Sequence, residues 1–349
     1  MRPTPTRIDP IFSPRIWGAH SLAPLFPEKT DLVEPLGEAW LTGVDCRAAT
    51  GPFAGKTLAA AWREMPPEWR GEQFAAVADF PLLVKFIFPT DKLSIQVHPD
   101  DAYASVHEKA AGGRGKTEMW HVVSAYSGAQ VLLGLKPGVD KQKFREGLAQ
   151  NSLENLFEAV PVHGGNTLFV PAGTPHTIGP GMVICEVQEY SDLTYRVYDY
   201  GRVDASGKPR ELHIEKALQV TKFGSHAGGK VTSLPLPGDG AVRSLLAACS
   251  YFAAERWECS GKCEILVDAA RFELVVFLEG AGSLSWPDSA ARYHSGECWL
   301  IPASQGCVTV LPEAPTSMIR TYVPDLAALR TDLHRAGISA AALAQVIFD

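Results

Sequence analysis

Four residues of this chain are of types that could hold one metal ion between them: Gln96, His98, Glu118 and His176. Leu93, Ile95 and Val97 alternate with Ser94, Gln96 and His98, the period of a strand with one apolar and one polar face. Residues two apart on a strand leave the same face, roughly 7 Å apart, so Gln96 and His98 point together. Pro99 then ends regular pairing. A second strand, 117–123, carries Glu118 beside Trp120. A third, 167–170, runs into Pro-Ala-Gly-Thr-Pro-His, where Pro171, Gly173 and Pro175 make a stiff corner for His176. Imidazole nitrogen and carboxylate oxygen suit zinc, and catalytic zinc sites keep a position open for water or substrate. With Gln96 neutral and Glu118 the one anionic ligand, the ion would keep net positive charge, which suits stabilising an anion.

Two lysines stand close to this set. Lys116 precedes Glu118 by two residues and so should share its face. Lys85 is the one charge in the apolar run FPLLVKFIF, a costly place unless its ammonium reaches solvent or a polar cavity. The stretch GGRGK, 112–116, lacks the spacing of a phosphate loop, and no glycine-rich dinucleotide fingerprint follows a strand.

The elements that must position these side chains are mostly strands. Residues 1–50 hold short strands anchored by Trp17 and Trp40, both expected to pack rather than to touch a substrate. Residues 56–70 have helical character until Pro66-Pro67. Residues 80–88 and 182–187 read as strands. Phe144, Leu148, Leu153, Leu156 and Phe157 give 139–160 helical spacing, and 211–223 reads as a helix after the turn Gly207-Lys208-Pro209. Gly-rich 224–240 reads as a linker, 241–323 as strands again, and the tail as helix docked through Leu326, Leu329, Leu333, Ile338, Leu343 and Ile347. The expected organisation is an N-terminal unit 1–223 with a helical insertion at 139–160, the linker 224–240, a second β unit 241–323, and a helical tail 324–349.

Composition narrows the class further. A hydrophobic content of 46% with 20% charged residues is that of a globular protein. Net charge is −7 and no basic cluster stands out, which argues against a nucleic-acid partner. No leader-like start and no long apolar run is present, so neither secretion nor a membrane span is expected. Seven cysteines are scattered without a CxxC pair, and all are expected to be reduced thiols in a cytoplasmic protein, monomeric or homodimeric.

The spacing Gly165, Pro171, Gly173, His176 matches the second cupin motif, and Gln96-Val-His98 followed late by Glu118 is a variant of the first. This variant, LSIQVHPDD with GKTEMWHV, resembles type I phosphomannose isomerase in its shorter bacterial form. The texts IWG, GEAW and SDLTYRVYDYGR resemble it too, and the likeness covers residues 8–323. It implies an all-β fold with helical insertions, made of two cupin (jelly-roll) barrels. The second would be degenerate and metal-free, because Gly296 and Pro302 keep the spacing while Ser304 replaces the glycine and no histidine follows. It implies one Zn²⁺ on Gln96, His98, Glu118 and His176, with Arg196 as an essential arginine, Glu186 as a second acidic position of the cleft, and Lys85 at the cleft.

The implied activity is interconversion of mannose 6-phosphate and fructose 6-phosphate, a proton moving between C2 and C1 through a cis-enediol. Lys116 or Glu186 would move the proton. A lysine beside a divalent cation should have a lowered pKa, which favours Lys116. Arg196 would hold phosphate or enediolate charge. Two departures from the family pattern stand out: Gly115 lies where some relatives carry a histidine, and Pro180 stands where cupins carry an asparagine. Two other classes compete. An iron-dependent cupin dioxygenase would show more histidines and no Gln ligand. A non-catalytic sugar-phosphate-binding cupin would not need Lys116 and Arg196 together.

Overall fold

The structure is a computed structural model and describes residues 2–349 except 204–206, 225–227, 239 and 288. Among the described residues the strands form four open sheets of antiparallel pairs, with few helices, as the mostly-β pattern requires. A seven-stranded sheet runs in the order Gly229–Val231, Thr167–Val170, Glu118–Ala125, Met182–Glu189, Leu82–Ile87, Leu36–Trp40, Ile11–Ala19. A five-stranded sheet runs Tyr195–Tyr198, Ile95–Val97, His176–Ile178, Gln130–Leu135, Phe157–Pro161. Trp120, Val122, Leu168 and Ile184 of the first pack against Val131, Leu133 and Ile178 of the second in one buried cluster. Burying each such side chain contributes about 1.5–3 kcal/mol, which presses the two sheets together and fixes their inner faces.

Local signals set the helices. Thr57 accepts from Ala60 N and opens Leu58–Glu64; the prolines then stop that helix, and Pro67 starts a further turn, Pro67–Arg70, at the helical position proline tolerates best. Asp100 caps Asp101–His107, and Asp140 caps Lys141–Ala149, whose Phe144 is fully buried. The helix expected over 139–160 is shorter. Asn151 takes a left-handed φ of 51°, a single turn of 3₁₀ helix follows at Leu153–Leu156, and Phe157–Pro161 is a strand paired with Gln130–Leu135. Edge pairing satisfies backbone groups that a continued helix would have satisfied internally, and the apolar spacing alone did not separate the two outcomes.

The second half stacks an eight-stranded sheet on a four-stranded one, around Trp257, Ile265, Val275, Phe277, Trp299 and Met318. The eight-stranded sheet recruits the start of the chain: Thr6–Asp9 pairs with Cys298–Ile301, and Arg7 Nη1 lies 3.2 Å from Glu297 Oε1. The stretch 224–240 carries two short strands among its described residues, Gly229–Val231 in the first half's sheet and Leu234–Leu236 in the second's; 225–227 and 239 lie outside the described residues. Within the second sheet Arg320 donates to Glu273 through Nε (2.6 Å) and Nη2 (2.5 Å), and Glu255 accepts from Trp257 Nε1, Tyr322 and Arg243. The tail helices Leu326–Arg335 and Ala340–Leu343 dock Leu333, Leu343 and Ile347 on Leu245, Ala248 and Tyr322.

One expectation is overturned. Cys259 and Cys263 pair as a disulfide, because the tight turn 260–262 brings the end of one strand back beside the start of the next; the other five cysteines are free. Among the described residues no helix is long and apolar enough to cross a membrane.

Candidate active site

Strand register places the chemistry. In the five-stranded sheet His176 pairs with Gln96, and Gln96 with Arg196, so these three stand in a row. In the seven-stranded sheet Trp120 pairs with Glu186, Glu186 with Lys85, and Lys85 with Trp40, a second row. Glu118 lies two residues from Trp120 on the same strand and shares its face. Gln96, Arg196, Glu186, Lys85 and Lys116 line one cleft of about 260 Å³. A larger groove of about 850 Å³ near Tyr198 and Tyr200 holds no metal-type cluster among the described residues, and its Arg202 and Arg210 are tied to Asp199.

At the floor of the cleft His98 Nε2 and His176 Nε2 lie 3.5 and 3.4 Å from Glu118 Oε1. All three side chains are buried, and one ligand atom from each falls within 4.8 Å of the others. Second contacts orient both rings. The Leu193 carbonyl accepts from His98 Nδ1 (2.8 Å) and the Thr174 carbonyl from His176 Nδ1 (2.9 Å), so each Nε2 turns a lone pair toward Glu118. The stiff corner serves this arrangement: Gly173 N donates to the His98 carbonyl at 2.8 Å and Trp120 meets the His176 ring edge-on at 5.1 Å. His98 Nε2 and Glu118 Oε1 have no hydrogen-bond partner among the described residues. Buried polar atoms left this way are costly unless something else binds them. Gln96 Nε2 lies 3.2 Å from His176 Nε2, and a half-turn of the amide would bring its oxygen to the same place.

Burial, then the charge of Lys116, lowers His98, and burial pushes His176 down to about 3, so both imidazoles are neutral. Burial alone would raise Glu118, but Lys116 and His98 outweigh it and hold the carboxyl well below its usual range. Two neutral imidazoles converging with an ionised carboxylate are the donor set that zinc takes, and Gln96 stands beside them.

The remaining candidates surround this floor. Lys116 Nζ sits 2.8 Å from Glu118 Oε2 and 3.5 Å from Glu186 Oε1. Burial works to lower Lys116, yet the carboxylates of Glu118, Glu186 and Asp192 prevail and raise it. Burial pushes Glu186 up to about 7 despite the opposing charge of Lys116. Lys85 is 2% exposed; its Nζ lies 2.8 Å from Asp192 Oδ1 and 4.1 Å above the Trp40 ring, so it faces the cleft rather than bulk water. Trp17, expected only to pack, is buried and also lines the cleft. Arg196 gives Nη1 to the Glu211 carbonyl at 3.0 Å, while its Nε has no partner among the described residues. Gly115 has a steric reason to be glycine: a Cβ there would lie 2.5 Å from the Asp100 carbonyl carbon, so no histidine fits on this backbone path.

Among the ionisable lining residues, sequence reasoning missed Arg15, Glu38, Asp192, Arg210 and His213. Arg15 Nη2 binds Glu38 Oε2 at 2.6 Å, and His213 Nδ1 accepts from Arg196 N at 3.3 Å. Glu38 and Asp192 lie in GEAW and SDLTYR, so local text held a signal for them. Arg15 and His213 reach the cleft only through long-range pairing.

Open antiparallel sheets enclosing a buried His-Glu-His cluster, with lysine, carboxylate and arginine around it, define a β-sheet enzyme with a single-metal type of site. The model of the phosphomannose isomerase type I catalytic domain matches residues 6–123. The mannose-6-phosphate isomerase of Streptococcus mutans is 35% identical over 292 residues, 82% of this chain and 89% of that protein. The crystal structure of the mannose 6-phosphate isomerase of Bacillus subtilis superposes with a TM-score of 0.82 at 30% identity, over 91% of this chain and 99% of that one. A zinc-bound mannose 6-phosphate isomerase, 16% identical, shares the fold with a TM-score of 0.70. The chain belongs to the type I phosphomannose isomerase family of enzymes.

Proposed function

We propose that the chain interconverts mannose 6-phosphate and fructose 6-phosphate with one Zn²⁺ held by His98, Glu118, His176 and the amide oxygen of Gln96. The observation that carries this is the convergence of His98 Nε2 and His176 Nε2 on Glu118 Oε1, both rings held by backbone carbonyls, beside Lys116 and Glu186 in one cleft. When bound, zinc supplies Lewis acidity toward the sugar's carbonyl and hydroxyl oxygens. The chain's residues do the rest. The Lys116–Glu186 pair takes the C2 proton and returns it at C1, through a cis-enediol. Arg196, with its free Nε, balances phosphate or enediolate charge. Lys85, pinned by Asp192 over Trp40, presents an ammonium to the hydroxyls of a hexose phosphate.

The same reading makes 1–223 the catalytic unit and 241–323 a metal-free one, each a jelly roll of two facing sheets. All the proposed ligands lie in the first pair of sheets or at the ends of its strands.

The test is zinc-loaded protein with mannose 6-phosphate in deuterated or tritiated water. Fructose 6-phosphate should form, and solvent hydrogen should enter C1 of that product and, on reversal, C2 of the aldose phosphate. Arg196→Ala should lose on the order of 2–4 kcal/mol of transition-state stabilisation, roughly a hundredfold to a thousandfold in rate. Absence of both product and exchange in the loaded wild type would overturn the reading. Exchange that survives Lys116→Met but not Glu186→Gln would assign the proton to Glu186 alone.

A further inference from the structure

Lys116 approaches the cleft on a segment that precedes the strand Glu118–Ala125, so the sheet alone does not hold it. Three consecutive backbone N–H groups are instead held by two carboxyl side chains and one loop carbonyl, none of them a ladder bond. Gly115 N donates to Asp101 Oδ1 at 2.7 Å, Lys116 N to the Pro99 carbonyl at 2.9 Å, and Thr117 N to Glu189 Oε1 at 2.6 Å. Burial, then the charge of Asp101, pushes the Glu189 carboxyl up to about 8, so at neutral pH it carries a proton to share with Asp101. The second oxygen of Asp101 is taken by the second half of the molecule: Tyr251 Oη donates to Asp101 Oδ2 at 2.8 Å across a sequence separation of 150. Tyr251 lies in the turn between Val242–Ala248 and Ala253–Cys259, two neighbouring strands of the eight-stranded sheet.

The cleft is lined by no residue after His213. The metal-free half therefore offers the reaction no side chain, yet it reaches the backbone on either side of Lys116 through one hydroxyl. We propose that Tyr251 is a positioning residue for Lys116, acting through Asp101 on the Gly115 amide, and that this gives the second half its part in the reaction. The physical reason is geometric. Lys116 Nζ works between two carboxylates at 2.8 and 3.5 Å, and proton transfer is sensitive to displacements of about 1 Å. Asp101 with Tyr251 attached is restrained at both carboxylate oxygens; without Tyr251 it keeps only the Gly115 amide and the Glu189 carboxyl, and the 112–117 segment gains freedom.

The kinetic part of this proposal rests on the isomerase reading, and the exchange part does not. The experiment compares full-length, zinc-loaded wild type, Tyr251→Phe and the control Tyr322→Phe. The control removes a buried hydroxyl bond of the same half, to Glu255 Oε1 at 3.0 Å, that does not touch the Lys116 segment. In Tyr251→Phe, amide exchange over 113–118 should accelerate about tenfold to a hundredfold, the worth of one hydrogen bond to a charged group. Its kcat for mannose 6-phosphate should fall at least about threefold with KM within about twofold, because the loss is of alignment and not of substrate contact. Zinc content should match wild type, and Tyr322→Phe should leave both readouts unchanged. Unaltered exchange over 113–118 in Tyr251→Phe overturns the tether. Accelerated exchange with unchanged kcat overturns the positioning role, as does an equal loss of kcat in Tyr322→Phe. A wild type that turns over no mannose 6-phosphate overturns the isomerase reading, and the exchange comparison then decides the tether by itself.

Discussion

Replacing Arg320 with methionine tests what a buried ion pair contributes to the second half. Arg320 is 7% exposed and Glu273 is fully buried. The guanidinium gives Glu273 two hydrogen bonds, at 2.6 and 2.5 Å, and lies 3.8 Å from Glu255, so one cation serves two buried carboxylates. Methionine fills similar volume but donates nothing. Two charge-assisted bonds at about 1.5–3 kcal/mol each give roughly 3–6 kcal/mol, which agrees with the 3–5 kcal/mol typical of breaking one side of a buried ion pair. Urea titration at neutral pH should therefore show the second half unfolding at a lower midpoint with an unchanged slope. Trp257 is a local reporter, since its Nε1 donates to Glu255 at 2.8 Å. Adding Glu273→Gln to Arg320→Met should recover more than half of the loss, because the amide leaves no unpaired charge. A single-variant cost below about 1 kcal/mol would refute the reasoning, since it would mean that Glu273 meets water once Arg320 is gone.

Three further outcomes follow. Glu189 has a native pKa of about 8, above its ordinary value of 4.5, so the folded state binds more protons across that window and stability should fall as pH rises through it, by up to about 4 kcal/mol; Glu189→Gln should flatten the fall in a series of thermal melts from pH 5 to 9. Zinc at 100 times its dissociation constant should stabilise the wild type by about 2.7 kcal/mol, and His98→Ala should show neither that gain nor retained metal by elemental analysis. Gly115→Ala should lower turnover and stability together, since its Cβ would meet the Asp100 backbone at 2.5 Å; an unchanged melt and rate would show that the 112–116 path is free to shift.

The floor of the site was legible in the sequence because its residues sit at fixed offsets within single strands or one stiff corner. Gln96 and His98 are two apart on one strand, and Pro171, Gly173 and Pro175 announce the turn before His176. The side-by-side order of Arg196, Gln96 and His176 was not legible, because it is a property of which strands pair and in what register. The same limit hid Arg15 and His213, and it hid the return of Thr6–Asp9 to the far sheet. Local pattern failed differently at Phe157–Pro161, where apolar spacing suits helix and strand alike and Asn151 alone marks the break. At Cys259 and Cys263 the compartment argument favoured free thiols, while a tight turn set the two side chains together.

The pairing of Thr6–Asp9 with Cys298–Ile301 has a consequence for how the chain is made. Arg7 and its partner Glu297 are 290 residues apart. At about 5–20 residues per second, roughly 15–60 s of synthesis separate the emergence of the two strands. For that interval the first strand has Arg47–Ala48 on one edge and no partner on the other. The eight-stranded sheet is completed only once Cys298–Ile301 has left the ribosome and Thr6–Asp9 pairs with it. Any chain released before Cys298 would display that bare edge, a mark by which unfinished copies can be told from finished ones.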